Sequence, residues 1–358
     1  MSGGRGIRSR ASYPGIDVAK LLMAFVVVEI HARPFGLLDG LVGALLVTVE
    51  NVAVPFFFIA SGFLCFRGLS ENDIVGRDAP KAGRARRTAL RLLRLYATWL
   101  LLFVPVSAFG SWLSGWGVVK SVAMWLRGAL LVGETVFSWP LWYLLAAAVG
   151  FGLVYLMLGG GLPPRRILAA SFLVMLGGWG ISVLHSWDGM PVWASASIAA
   201  YYKLFVNVRN GLFLGFFYVA LGMVTGLRLE GLRRLGPVAP CAALVAGFAG
   251  CLVVSADQHL PFCALAAWGL FALSARRVSA GRGFVFARNT STVVYLTHMF
   301  FVVIFTYGVF GGAGASIYAA DVPHGAVFAC SLACALVLAA AVVPLSRRHP
   351  KLAKVFGL

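Results

Sequence analysis

The sequence predicts an all-α protein that crosses a membrane many times, and three observations support that fold class. Hydrophobic residues make up 60% of the chain and the mean hydropathy is +0.89, which leaves too little polar surface to cover a soluble domain. Apolar segments of helical length recur from about residue 16 to about residue 345 with only short breaks. Lysine and arginine are concentrated in alternate loops between those segments.

Ten of the apolar segments are long enough to be interpreted as transmembrane helices. The predicted helices run roughly over 16–35, 41–66, 95–116, 139–159, 167–186, 205–226, 237–255, 261–275, 290–310 and 325–345. An even number of crossings returns the chain to its starting side. We therefore expect residues 1–358 to form a single transmembrane domain, with tails at 1–15 and 346–358 on the same side of the membrane.

The net charge of +18 would indicate nucleic-acid binding in a soluble protein, so the positions of the charges decide its meaning. Of the 30 Lys and Arg residues, 25 fall in one set of loops, and the other set holds Arg33, Lys120, Arg127, Lys203 and Arg209. The positive-inside rule assigns the richer set to the cytoplasm. We therefore predict that both termini are cytoplasmic, that membrane lipids surround the protein, and that nucleic acid is not a partner.

The first predicted helix carries charged side chains, each of which costs about 2.5 to 3.5 kcal/mol at the centre of a bilayer. Lys20 and His31 are eleven residues apart, which places them on one face and about 16 Å apart along the axis. Asp17 extends the same stripe. We predict that this stripe lines a polar path, in which a neutral His31 accepts a hydroxyl proton. The alternative is structural, with Lys20 extending to the interface and His31 capping the helix.

The ninth predicted helix repeats this pattern. Ser291, Tyr295 and His298 stand at positions i, i+4 and i+7, so they share a face that we expect to point inward. Helical rise places His298 near the middle of the bilayer. The structural alternative is a buried histidine that is hydrogen-bonded to a neighbouring helix.

Arg209 and Asn210 precede the apolar run of the sixth predicted helix. They are candidates for holding an anionic or sugar group, and a simple interfacial anchor is the alternative. Pro55 and Gly62 in the second predicted helix either kink it around a cavity or permit close helix packing. The six cysteines have no metal-ligand spacing, so we predict packing roles for them and no metal site.

Several segments together resemble the acyltransferase-3 membrane family. GIDVAKLLMAFVVVEIHARPF is similar to the first helix of that family, in which ten residues separate a basic residue from a histidine, as they separate Lys20 from His31. NVAVPFFFIASGFL resembles its second helix, and the basic stretch RARRTALRLLRLYATW follows. LWYL at 141–144, RNGLFLGFFYVALG at 209–222 and YLTHMF at 295–300 also resemble family segments in the family order.

Two features separate the chain from the commonest family pattern. The basic residue is usually arginine and is Lys20 here, which looks more like the polysaccharide and enterobacterial-antigen O-acetyltransferase branch and the membrane domain of vancomycin-resistance serine racemases. The segment LWYLLAAAVG lacks the glutamate that follows the equivalent position in O-antigen acetylases.

The resemblance implies an O-acetyltransferase in the cytoplasmic membrane of a bacterium, with acetyl-CoA as cytosolic donor and a glycan or lipid-linked sugar as acceptor. Acetyl-CoA is then a substrate, and no permanently bound cofactor is expected. Lys20, with Arg91 and Arg94, would hold the CoA phosphates. His31 would act as general base or as an acyl relay.

A transporter or flippase of a lipid-linked saccharide is the alternative from another class, because it also needs a polar interior. The sequence shows no paired half-sequences with matching broken helices. It also places few acids and bases inside the predicted helices for a proton relay. Both observations favour the enzyme.

Overall fold

The computed structural model describes residues 12–35, 38, 40–187, 189–255, 258–276, 284–314, 316–319 and 321–358. Regular secondary structure in these ranges is helical, and they contain no β-strand. The α-helices, numbered in chain order, are α1 (Pro14–Ala32), α2 (Gly40–Phe66), α3 (Arg84–Leu102), α4 (Val104–Leu113), α5 (Val118–Arg127), α6 (Trp142–Gly159), α7 (Pro164–His185), α8 (Val192–Phe205), α9 (Phe216–Leu227), α10 (Leu229–Arg234), α11 (Val238–Val253), α12 (Leu260–Ser274), α13 (Val285–Val303), α14 (His324–Ser346) and α15 (Pro350–Phe356).

Short 3₁₀ or π turns extend three of these helices. A 3₁₀ turn at Trp139–Leu141 leads into α6, a π turn at Gly211–Gly215 leads into α9, and a π turn at Ile304–Val309 continues α13. A further π turn follows α5 at Gly128–Val132. Such irregular turns often occur at functional sites.

The prediction of a multi-pass membrane protein is confirmed by helix length and composition. Among the described residues, helices long and apolar enough to cross a bilayer are Gly40–Phe66, Trp139–Gly159, Pro164–His185, Val285–Val309 and His324–Ser346. The helices α3 and α4 form a sixth span if they are counted together, with a bend of 51° between them. The count of ten crossings and the side on which the termini lie stay predictions.

The helix predicted over 95–116 differs most from the structure. It begins at Arg84, because the basic stretch RARRTALRLLRL forms an amphipathic helix rather than a loop. It breaks at Phe103, two residues before Pro105, whose missing N–H disrupts a continuous helix. The helices α5 and α8 occupy segments that lie between the predicted helices, because both are shorter than a membrane span.

The second predicted helix is continuous through Pro55, and its glycine serves close packing. A Cβ added to Gly62 of α2 would overlap the carbonyl of Val219 on α9, and one added to Gly222 would overlap the carbonyl of Ile59. The two backbones therefore cross in direct contact, which only glycine at both positions allows.

Candidate functional site

The site is built on α1 and α13, which lie side by side and run in the same direction. At one end of this pair Lys20 lies within electrostatic range of Arg288. At the other end His31 stacks on His298. The spacing from cation to histidine is eleven residues on α1 and ten on α13, so both helices span about 15 to 16 Å between the two ends.

The two imidazole rings form the centre of the far end. Their centroids are 5.5 Å apart and the rings are inclined by 24°. His298 is fully buried, and its Nδ1 lies 3.1 Å from the carbonyl oxygen of Val294. A carbonyl only accepts, so Nδ1 carries the proton and Nε2 keeps a lone pair. That Nε2 is buried without a hydrogen-bond partner, as is Nδ1 of the half-buried His31.

Aromatic rings cover the His31 side of this histidine pair. The centroid of the Trp139 ring lies 5.7 Å from that of the His31 ring. The Tyr318 ring stacks on Trp139, with ring centroids 6.4 Å apart. The guanidinium of Arg33 lies 4.4 Å above the Tyr318 ring. This column keeps the imidazole in a water-poor environment while leaving a cation close by.

Tyrosine side chains connect the histidine pair to the other end. Tyr295 lies next to His298 with ring centroids 6.4 Å apart, and its hydroxyl donates to the carbonyl of Pro140. The next ring is Tyr143, 5.8 Å from Tyr295, whose hydroxyl is 2.8 Å from that of Ser61. These groups form a row that leads from His298 to Tyr143, which lies within electrostatic range of Arg91.

A cationic cluster occupies the Lys20 end and consists of Lys20, Arg67, Arg91 and Arg288 around the buried carboxylate of Asp17. Ion pairs closer than 4.0 Å in the described part of the chain are Lys81–Asp73 and Arg234–Glu230. Lys20 belongs to neither, so its ammonium is available for an anionic ligand.

The structure brings together most of the residues that the sequence singled out. Asp17, Lys20 and Arg91 lie at one end, and His31, Tyr295 and His298 lie towards the other. Arg209 is exposed and lies within electrostatic range of His31.

Three further candidates from the sequence, Arg94, Ser291 and Asn210, take part in local hydrogen bonds that involve the backbone. Arg94 is exposed, as Arg91 is, and its carbonyl accepts from the hydroxyl of Thr98. Ser291 donates to the carbonyl of Arg288, and Asn210 caps the π turn by accepting from the amides of Leu212 and Phe213.

Sequence reasoning missed residues that lie outside the first and ninth predicted helices. Arg288 had a signal, because it precedes His298 by ten residues, one fewer than the eleven from Lys20 to His31. No sequence pattern pointed to Trp139 or Glu134, because both lie on an irregular segment between α5 and α6. Within the described residues, no group of three or more His, Cys, Asp or Glu side chains is arranged to hold a metal ion.

A cavity of about 310 Å³ lies next to the histidine pair, on the other side of Trp139. Its wall includes Glu134, Arg127 and the hydroxyl-bearing residue Ser107. Burial raises the pKa of the Glu134 carboxyl to about 7, and the nearby Arg209 opposes that rise.

Comparison with known proteins gives one family and three distant relatives. The family model described as an acyltransferase domain matches residues 13–343. An amino-acid racemase of Enterococcus faecalis is 26% identical over 221 residues, which is 59% of this chain and 28% of that protein. A serine/alanine racemase of Enterococcus gallinarum is 28% identical over 224 residues, 60% of this chain and 29% of that protein. The chain thus covers less than a third of these relatives, and no solved structure matches it.

Proposed function

Because this chain belongs to the acyltransferase domain family, and is therefore a membrane acyltransferase, we propose that it moves an acetyl group from acetyl-CoA to a saccharide hydroxyl. The acceptor is a cell-surface glycan or a lipid-linked sugar. The observation that carries this proposal is the arrangement of α1 and α13, with cations at one end and a pair of histidines at the other.

The orientation follows from the loop charges. In the proposed topology ten crossings place both termini in the cytosol, so the Lys20 end faces the cytosol and the His31 end faces outward. The membrane is the cytoplasmic membrane of a bacterium. This orientation supplies acetyl-CoA at one end and the acceptor at the other.

The cationic cluster is the proposed site for the donor. CoA carries several phosphate groups, and Lys20, Arg91 and Arg288 offer one ammonium and two guanidiniums for them. The thioester arm of CoA then lies along the row of Tyr143 and Tyr295. Arg94 is not among the charges that act on Lys20, so the proposal gives the phosphates to the other three residues.

The histidine pair is the proposed centre of the chemistry. His31 takes the proton of the acceptor hydroxyl, and the oxygen attacks the thioester carbonyl carbon. The tetrahedral intermediate collapses, the carbon–sulfur bond breaks, and the CoA sulfur leaves with a proton. In the relay alternative a nitrogen of His31 attacks the thioester carbonyl carbon first, and the carbon–sulfur bond breaks to release CoA thiolate. The acceptor oxygen then takes the acyl group from the imidazole, and its proton passes to the thiolate. His298 stacks behind His31 and holds its ring in place in either route.

The test is an assay of purified protein in lipid nanodiscs with acetyl-CoA labelled in the acetyl group, with and without saccharide acceptors. We expect thioester cleavage and label on the saccharide. His31→Ala and His31→Gln should both lose activity by about 10² to 10⁴, because the amide cannot accept a proton at neutral pH.

Thermal melting and membrane insertion of both variants provide the control, and both should match the wild type. Retention of most activity by His31→Gln would remove His31 from the chemistry. Absence of any acetyl transfer or thioester cleavage by the wild type would overturn the proposed function.

A further inference from the structure

We propose that the cavity beside Trp139 binds the sugar unit whose hydroxyl is acylated, an inference that rests on the proposed function. Its volume of about 310 Å³ is in the range of small-molecule sites. It is separate from the cationic cluster, so the two substrates would reach the histidine pair from different directions.

The lining of the cavity has the chemistry that recognises sugars. Indole rings of Trp116, Trp125 and Trp139 offer flat apolar faces on which the C–H face of a pyranose ring packs. Glu134 supplies carboxylate oxygens that accept from sugar hydroxyls, and Arg127 supplies donors. A lining with both a carboxyl group and a guanidinium suits hydroxyl groups, which donate and accept hydrogen bonds.

A rigid turn holds Glu134 in the wall. Gly133 has φ of 93°, a left-handed conformation that glycine adopts without strain, and its amide donates to the carbonyl of Gly128. Directly after Glu134, the amide and the hydroxyl of Thr135 both bond to the hydroxyl of Ser138, at 2.7 Å and 2.8 Å. Ser107 of α4 ties this turn to the bundle through the Thr135 hydroxyl. A carboxyl held in this way is preorganised for a ligand.

The position of the cavity connects it with the proposed chemistry. Trp139 contributes to its wall and also contacts the His31 ring. Glu134 and His31 both lie within electrostatic range of Arg209. A sugar in the cavity therefore lies one indole ring away from the imidazole. Val206, which is 41% exposed, lies on the cavity wall and marks where it reaches the surface.

The outer surface of α5 shows how such a sugar would be presented. Val118 and Val119 are 79% and 85% exposed, and Leu130 just beyond the helix is 72% exposed. Exposed apolar side chains beside the cavity suit contact with lipid. A sugar attached to a lipid chain can thus place its ring in the cavity while the chain stays in the bilayer, and a free glycan offers the same ring chemistry.

The experiment measures sugar binding without acetyl-CoA, by saturation-transfer NMR on the full chain in lipid nanodiscs. The probes are the methyl β-glycosides of glucose, galactose and N-acetylglucosamine, and the hexadecyl β-glycosides of the same sugars. We expect at least one sugar to bind, with Glu134→Gln and Trp116→Ala each weakening it about tenfold. Glu71→Gln is the matched control, because Glu71 is exposed and lies in the segment between α2 and α3.

Each outcome decides the proposal. Weaker binding by both variants with unchanged binding by Glu71→Gln supports it, and a tighter wild-type affinity for the hexadecyl form assigns a lipid-linked acceptor. Equal binding by the wild type and Glu134→Gln, or no binding of any probe, overturns it. A wild type that binds the sugar without transferring acetyl groups would overturn the proposed function alone, so the two failures are distinguishable.

Discussion

The two ends of the α1–α13 pair differ in how their polar groups are satisfied. At the Lys20 end, four cations gather with the single buried carboxyl group of Asp17, so positive charge is in excess there. At the His31 end, two neutral rings stack with ring nitrogens that have no hydrogen-bond partner. The first arrangement suits the binding of a charged group, and the second suits the exchange of protons.

This difference separates binding from chemistry along a single pair of helices. Substitutions at the histidine end should change the rate of transfer, and substitutions at the cationic end should change the saturation by donor. The kinetic variants of His298, Lys20 and the α3 arginines test that separation, and a variant that changed the wrong quantity would contradict it.

The largest expected effect belongs to His298. In His298→Asn the amide nitrogen can still donate to the Val294 carbonyl, but the lone pair of Nε2 is lost together with the stacked ring. We expect the turnover rate to fall about 100-fold while the KM for acetyl-CoA changes less than about threefold. A large rise in the KM with an unchanged rate would contradict the separation of the two ends.

The second effect concerns Lys20. Lys20→Ala removes a charge from the cluster, so the KM for acetyl-CoA should rise about tenfold, whereas Lys20→Arg should retain most of the affinity. The turnover rate at saturating donor should stay within about threefold. Equal donor saturation curves for the wild type and Lys20→Ala would indicate that Lys20 is an interfacial anchor.

A matched pair of arginines on α3 gives a smaller and sharper test. Arg91 lies within electrostatic range of Lys20, whereas Arg94, three residues further along the helix, is not among the charges that act on Lys20. Arg91→Ala should raise the KM for acetyl-CoA about threefold, and Arg94→Ala should leave it unchanged. Equal effects of the two substitutions would show that only overall surface charge matters to the donor.

The smallest effect is on stability and concerns Glu134. Its pKa in the folded protein, about 7, lies above the ordinary value of 4.5, so the carboxyl favours folding most when it is protonated. That contribution is lost as pH rises from about 4.5 to about 7. Between about pH 5 and pH 8 the melting temperature of the wild type should therefore fall by at least about 2 °C relative to Glu134→Gln. Identical pH profiles for both proteins, with Glu71→Gln as control, would place Glu134 in contact with water.

Helical periodicity explains why part of the site could be predicted from the sequence. The stripe of Asp17, Lys20 and His31 and the stripe of Tyr295 and His298 each depend on positions within one helix, and such patterns are local. The membrane class depends on composition in the same way. The structure places both stripes in the interior, and the roles of these residues stay predictions.

The rest depends on contacts between segments that are distant in the chain. Nothing in the spacing of His31 says that it stacks on a residue of α13, and Arg94 fits the same basic pattern as Arg91. The turn that carries Glu134 and Trp139 lacks a period, because its shape comes from Gly133 and from hydroxyl bonds to α4. Asn210 looked like a ligand because polar residues at a helix start serve both as caps and as contacts.

The crossing of Gly62 and Gly222 has a mechanical consequence. Where two backbones touch without side chains between them, neither helix can slide or rotate without collision. We therefore expect α2 and α9 to move as one rigid unit. Any strain that arises as substrates enter and products leave must therefore be absorbed elsewhere, and we expect it at the break between α3 and α4, which meet at 51° and of which α4 lines the cavity. Spin labels on α2 and α9 should report a constant distance through turnover, whereas labels on α3 and α4 should report a changing one.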